Sequence, residues 1–139
     1  MLNGSDTAEI ISPYNTDSEI VKMFGEVEIV GSLKNRLSGY NEFSGPAYKF
    51  YYTDRCAQGM CGYYYHERNE AFVLRFEKNK LPFLGIWMNN GEAKGYYNIA
   101  LEPATSPYDR PDRAGSDITV LHPFSEFSFD IELSLESIL

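Results

Sequence analysis

Trp87, Asn89, Asn98 and Glu102 lie within a span of sixteen residues, and they are the residue types from which a binding or acid–base site is built. Glu102 follows Ile99-Ala100-Leu101 and precedes Pro103, where an apolar strand runs into a loop rich in proline. Apolar surroundings raise a carboxylate's pKa toward the range of a general base. The competing reading is that Glu102 caps the loop by accepting backbone N–H groups. Trp87 is the only tryptophan, and an indole face beside a carboxylate suits the C–H face of a sugar. A lone tryptophan in a strand is more often a core side chain than a ligand platform. Asn89 and Asn98 can supply ligand hydrogen bonds, although Asn89-Asn90-Gly91 also reads as turn chemistry. Asp109, Arg110, Asp112 and Arg113 form a charged loop just after Glu102, placed to cover the mouth of a site there. Opposite charges so close in sequence otherwise make solvated pairs of little energetic weight.

Other chemistries lack their residues. The two histidines, His66 and His122, fall in no metal-ligand spacing. Cys56 and Cys61 are too few for a structural zinc site and make no disulfide framework, so free thiols in a reducing cytoplasm are expected. No phosphate-binding glycine loop, nucleotide fingerprint or Ser-His-Asp arrangement occurs, and neither a cofactor nor a metal is expected. The formal net charge of −8 disfavours nucleic acid and anionic membrane surfaces, both of which are bound through Lys and Arg. No lysine or arginine follows Arg113, whereas Asp117, Glu126, Asp130, Glu132 and Glu136 do, which reads as a solvated acidic face. No stretch approaches a membrane span, and the N-terminus is polar.

The elements that must position these residues read as strands. At 139 residues, with 11 tyrosines and 9 phenylalanines, the chain has the size of one domain (1–139) and a composition suited to sheet. The first 17 residues read as loose or as an edge strand. Val27 and Ile29 are strand-like, and a short helical turn is predicted around Leu33 and Leu37, ended by Gly39. Strands follow at 46–52, 61–66, 71–76, 83–88 and 96–101, with a turn at Asn89-Asn90-Gly91. His122-Pro123 is predicted to open the last strand. There Phe127, Phe129, Ile131, Leu133 and Leu135 alternate with polar residues, implying one buried and one wet face. Short strands without a long helix predict an all-β, antiparallel β-sandwich.

Three segments also carry a family resemblance: Leu81-Pro82-Phe83-Leu84-Gly85-Ile86-Trp87, Tyr97-Asn98-Ile99-Ala100-Leu101-Glu102-Pro103, and His122-Pro123-Phe124-Ser125-Glu126-Phe127-Ser128-Phe129. From about Tyr48 onward, and most specifically over 81–108, the chain resembles the C-terminal part of galactose mutarotase-like proteins, the aldose 1-epimerases and their relatives. The resemblance implies part of a large supersandwich that binds carbohydrate across one sheet. It also implies that Glu102 matches the glutamate that takes the proton of the anomeric hydroxyl. In that family an earlier histidine is the acid on the ring oxygen, and further histidine, aspartate and arginine residues hold the sugar. The family's domain is roughly twice this size, and the segment bearing the acid histidine and the arginine has no counterpart here. His66 lies too near Glu102 in sequence to match it. A base without its acid supplies little rate. The expectations are therefore an epimerase-like carbohydrate-binding chain, with a non-catalytic sugar-binding or assembly module, or a structural β-domain, as alternatives. A partial sandwich leaves open edges and apolar faces, so a homodimer or association with a missing N-terminal half is expected.

Overall fold

The computed structural model describes residues 8–14, 20–23, 48–52, 54–90 and 94–137. They form eight strands: β1 (Ala8–Ile11), β2 (Ile20–Met23), β3 (Tyr48–Tyr52), β4 (Met60–Tyr65), β5 (Glu70–Phe76), β6 (Phe83–Asn90), β7 (Tyr97–Ala104) and β8 (Ile131–Ser137). A single-turn helix, α1 (Pro111–Ala114), follows β7. The strands make two four-stranded sheets, one ordered β1-β4-β5-β8 and the other β2-β3-β6-β7, with every pairing antiparallel. The all-β sandwich expected from the alternation is what the chain adopts. The predicted strand at Val27 and Ile29 and the helical turn near Leu33 lie outside the described residues.

Local chemistry explains most of the strand boundaries. The β4–β5 hairpin closes through 66–69, where Arg68 N–H donates to Tyr65 and Asn69 N–H to His66. Asn69 takes a positive φ of 51°, a conformation that Asn tolerates better than most residues. The chain changes sheet between β3 and β4 and again between β5 and β6. Both crossings are tied down by backbone bonds, Cys56 N–H to Pro82 at 2.7 Å and Phe76 N–H to Gly59 at 2.9 Å. Pro103 sits in β7, which is the edge of its sheet, where a missing N–H disrupts no ladder.

The core lies between the sheets. Tyr52, Leu84 and Ile86 from one sheet meet Cys61, Leu74 and Phe76 from the other, with Tyr14, Cys56 and Leu81 closing one side and Ile99 and Leu101 packed against them. Tyr14 and Tyr52 pack with ring centroids 4.3 Å apart. The unbroken apolar run 83–86 belongs to a central strand buried on both faces. Leu84 and Ile86 enter the core, while Phe83 on the opposite face lies under the Arg55 guanidinium, 5.1 Å from the ring centroid.

Three expectations are corrected. The alternating segment does not bury one face: Ile131, Leu133 and Leu135 are all exposed, and the strand begins at Ile131. Their register partners Phe76, Leu74 and Phe72 show that they continue the core-side face of their sheet, but no described residue of the second sheet covers it there. His122 does not start a strand. It begins a turn in which Ser125 N–H and Oγ–H both donate to its carbonyl and Phe124 has φ 63°. Asn89 and Asn90 lie within β6, paired with Asn98 and Tyr97, rather than in a turn; Gly91 lies outside the described residues, and Lys94 and Gly95 have positive φ.

Cys56 and Cys61 are free and buried, as expected of isolated thiols. Burial pushes the Cys61 thiol up to about 12, with the nearby Cys56 adding to it. Burial also raises Cys56, whose sulfur lies 3.7 Å from the Tyr14 hydroxyl. A native pKa above the unfolded value means that the folded state keeps a proton which the unfolded state loses. The stability from the buried neutral Cys61 thiol is therefore complete below about pH 9 and declines as pH rises toward about 12. Urea midpoints measured from pH 7 to 11 should be flat and then fall, with stability lost at up to about 1.4 kcal/mol per pH unit through Cys61. Cys61→Ala should flatten the decline, and an unchanged slope in that variant would show that the thiol is not its source.

Candidate functional site

Strand alternation brings the four sequence candidates to one face. In the β6–β7 register, Asn89 lies opposite Asn98, Trp87 opposite Ala100, and Gly85 opposite Glu102. Directly opposed residues point to the same side of an antiparallel sheet. Trp87, Asn89, Asn98 and Glu102 therefore share the outer face of their sheet, since Leu84, Ile86, Ile99 and Leu101 between them face the core. Asn89 is buried at 1% exposure, Trp87 is half-buried and Asn98 is exposed.

The neighbouring strand adds residues that local sequence reading does not supply. In the β3–β6 register, Lys49 lies opposite Trp87 and Tyr51 opposite Gly85. One row across the sheet thus reads Tyr51, Gly85, Glu102, and the next reads Lys49, Trp87, Ala100. Lys49 Nζ sits 2.9 Å from Glu102 Oε2 and 3.1 Å from Asp109, which the loop after β7 carries back over the sheet. Tyr108 of that loop packs on Tyr51, with ring centroids 5.8 Å apart, and Pro107 beside it is buried. Of the charged residues expected to cover a site, Asp109 is the one that reaches the sheet. Arg110 and Asp112, by contrast, pair with each other at 2.6 Å in solvent. A second contact, Arg55 with Asp117 at 2.6 Å, ties the far end of the loop to the segment after β3.

Glu102 is thus placed differently from the sequence expectation. Its side chain is 37% exposed and held by an ammonium group rather than enclosed by apolar neighbours. Lys49 remains protonated across the physiological range. Partial burial works against its charge, but Glu102, Asp109 and the adjacent Tyr51 hydroxyl outweigh that and raise its pKa above that of an ordinary lysine. Burial, then Asp109, keeps the Tyr51 phenol protonated. Tyr51 Oη is buried near Asp109 and Lys49, yet none of the described residues gives it a hydrogen bond of good geometry. Buried hydroxyls ordinarily find a partner.

Gly85 determines the shape at the centre. A Cβ at this position would meet the Tyr51 ring at 3.1 and 3.3 Å and Glu102 Oε2 at 3.4 Å. With no side chain there, the Tyr51 ring and the Glu102 carboxylate both come close over the Gly85 backbone. Lys49 had one faint sequence signal: it shares period-two phase with Tyr51 inside an aromatic strand. Its link to residues more than fifty positions away had none. Among the described residues, no group of three His, Cys, Asp or Glu side chains is placed to hold a metal ion.

Fold and site together define an antiparallel β-sandwich carrying a charged and aromatic patch on the outer face of one sheet. No family model matches the chain, and no curated protein or solved structure is significantly similar to it.

Proposed function

We propose that this chain is a carbohydrate-binding protein of the aldose 1-epimerase-like type, with its site on the outer face of the β2-β3-β6-β7 sheet. The observation that carries the reading is Lys49 bridging Glu102 and Asp109, at 2.9 and 3.1 Å, beside Trp87 and above the bare backbone of Gly85. Sugar hydroxyls both donate and accept. Carboxylate oxygens of Glu102 and Asp109 accept from them, and the Lys49 ammonium donates. Trp87 supplies an apolar surface for the C–H face of a ring, and the exposed Asn98 stands one row further along the same face, opposite Asn89. One cation between two carboxylates suits a neutral polyol better than a phosphorylated one. The free thiols fit a reducing compartment such as the cytoplasm. No helix among the described residues is long and apolar enough to cross a membrane.

Anomer interconversion is the second reading, favoured by the place of Glu102 near the end of β7, where its resemblance to the epimerase glutamate lies. Glu102 would take the proton of the anomeric hydroxyl as the ring C–O bond opens. The ring oxygen would take a proton from Lys49, which is held protonated above its ordinary range and is therefore a reluctant donor near pH 7. Binding is therefore expected to exceed turnover.

Titration with a panel of neutral mono- and disaccharides, followed by chemical shifts of the Trp87 indole and the β6–β7 amides, separates these readings. Saturable shifts are expected in the wild type, with affinity about 10- to 100-fold weaker in Glu102→Gln and in Trp87→Ala. A panel that moves none of these signals would overturn sugar binding. In the same samples, anomer exchange at the uncatalysed rate leaves binding alone, whereas acceleration lost in Glu102→Gln establishes the enzyme.

A further inference from the structure

We infer that residues 105–119 form a lid over the Lys49–Glu102 patch, held shut in this structure by two ion pairs, and that its opening uncovers the Tyr51 ring and hydroxyl. The loop leaves β7 and turns back on itself, because Thr119 Oγ–H donates to the Thr105 carbonyl at 3.4 Å and joins its two ends. Its size and closed neck are those of an Ω-loop, a compact surface segment whose ends lie together. The ties from the loop to the sheet are made by side chains. Lys49 holds Asp109 at 3.1 Å, Arg55 holds Asp117 at 2.6 Å, and the Tyr108 ring lies 5.8 Å from that of Tyr51. The backbone bond from Asp117 N–H to Ala114, by contrast, stays within the loop. Gly115, at φ 58° and ψ −124° with open space where a Cβ would stand, supplies a link that a side chain would stiffen.

The closed position is not settled in the way a core is settled. Tyr51 Oη under the loop and Ser106 Oγ within it are buried without a hydrogen-bond partner among the described residues. A buried hydroxyl left unpaired counts against the state that buries it, and opening returns both to water. Against that stand the burial of Pro107 and Ala114 and two ion pairs that reach solvent, a class of contact that contributes little in water. Small opposing contributions bring the open state within thermal reach, as in loops that admit ligands. The neighbouring tyrosine provides the contrast. Tyr52 is 4% exposed against 5% for Tyr51, yet it lies between the sheets and packs on Tyr14. Two adjacent tyrosines buried to the same degree therefore report on two different openings, one of the lid and one of the whole sandwich. The Arg55–Asp117 latch stands over Phe83, two residues along β6 from Gly85, so it can be cut without touching the groups assigned to ligand. As a gate for ligand, the lid rests on the carbohydrate-binding reading of the patch; its motion does not.

Acetylation of tyrosine hydroxyls by N-acetylimidazole, read residue by residue by mass spectrometry on the full chain without ligand, tests the motion. Tyr51 is expected to react more than about 10-fold faster than Tyr52. Arg55→Ala and Asp117→Asn, each removing the latch, should raise the Tyr51 rate about 2- to 5-fold and leave Tyr52 unchanged. Added salt should act in the same direction by screening both ion pairs. Equal rates at Tyr51 and Tyr52, or a Tyr51 rate indifferent to both latch variants, would overturn the lid. In the wild type, a neutral mono- or disaccharide that binds should slow Tyr51 acetylation, because Lys49 and Asp109 hold it with the lid closed. A sugar that binds and leaves this rate unchanged overturns the gate and spares the carbohydrate reading. A lid that moves while no sugar of the panel binds overturns the carbohydrate reading and spares the lid.

Discussion

Gly85→Leu should abolish ligand binding at the Lys49–Glu102 patch, an expected loss of more than about 100-fold. A Cβ alone would press on the Tyr51 ring at 3.1 Å and approach Glu102 Oε2 at 3.4 Å. The remaining three carbons of leucine would then stand in the space between Tyr51 and Glu102. Either they occupy the floor on which a sugar ring would rest, or they push Glu102 away from Lys49 and break the 2.9 Å contact that orients it. The cost to the fold is expected to be smaller, about 1–3 kcal/mol as for other overpacked sites, because Glu102 can swing toward solvent. Gly85→Ala is the graded control, needing a shift of only a few tenths of an ångström and so a partial loss. The check is the sugar titration on both variants beside thermal unfolding. Full affinity in Gly85→Leu would place the ligand elsewhere on the molecule.

Ile86→Ala carries the largest expected effect on stability, about 2–5 kcal/mol. Ile86 is 0% exposed and lies at the centre of the core, on the middle strand pair of its sheet, where neighbours from both sheets converge. The vacated volume cannot be refilled easily, since Leu84 and Leu101 are fixed by their own ladder positions. At this chain length a loss of that size lowers Tm by on the order of 10 °C. Leu135→Ala, studied at a protein concentration too low for association, should change stability by no more than about 0.5 kcal/mol. The contrast tests a structural statement rather than a residue type: two aliphatic residues in alternating strands, one covered by a second sheet and one not. Equal losses in chemical denaturation would mean that β8 is covered in the single chain.

The fold was legible where the physics is local. Period-two alternation and punctuation by Pro, Gly and Asn placed strands at 46–52, 61–66, 71–76, 83–88 and 96–101, and strands are found within or overlapping every one of them. Where two readings shared the same local pattern, the outcome depended on distant chain. Asn89-Asn90-Gly91 is a good turn sequence, yet pairing with Asn98 and Tyr97 carries β6 through both asparagines. The alternation of 127–135 is a good half-buried strand, yet β5 pairs it at an edge where the opposite sheet does not reach. Alternation specifies that one face is apolar, not that anything covers it.

The candidate site divides along the same line. Trp87, Asn89, Asn98 and Glu102 were recognisable by type and by nearness in sequence, and because β6 and β7 form a hairpin their shared face follows from the register of a single turn. Lys49 and Tyr51 reach that face only through the β3–β6 pairing, across more than thirty residues of chain that pass through the other sheet. Residue type and spacing alone thus determined that the chain is built of strands and that its thiols stand apart from any metal spacing, and they singled out Glu102 as the first candidate carboxylate. Only tertiary structure decided that Glu102 meets a lysine rather than a hydrophobic wall, and that the last strand presents its apolar side outward. Side-chain alternation is set by each strand's own backbone, whereas electrostatic partners and burial are set by which strands come to lie side by side.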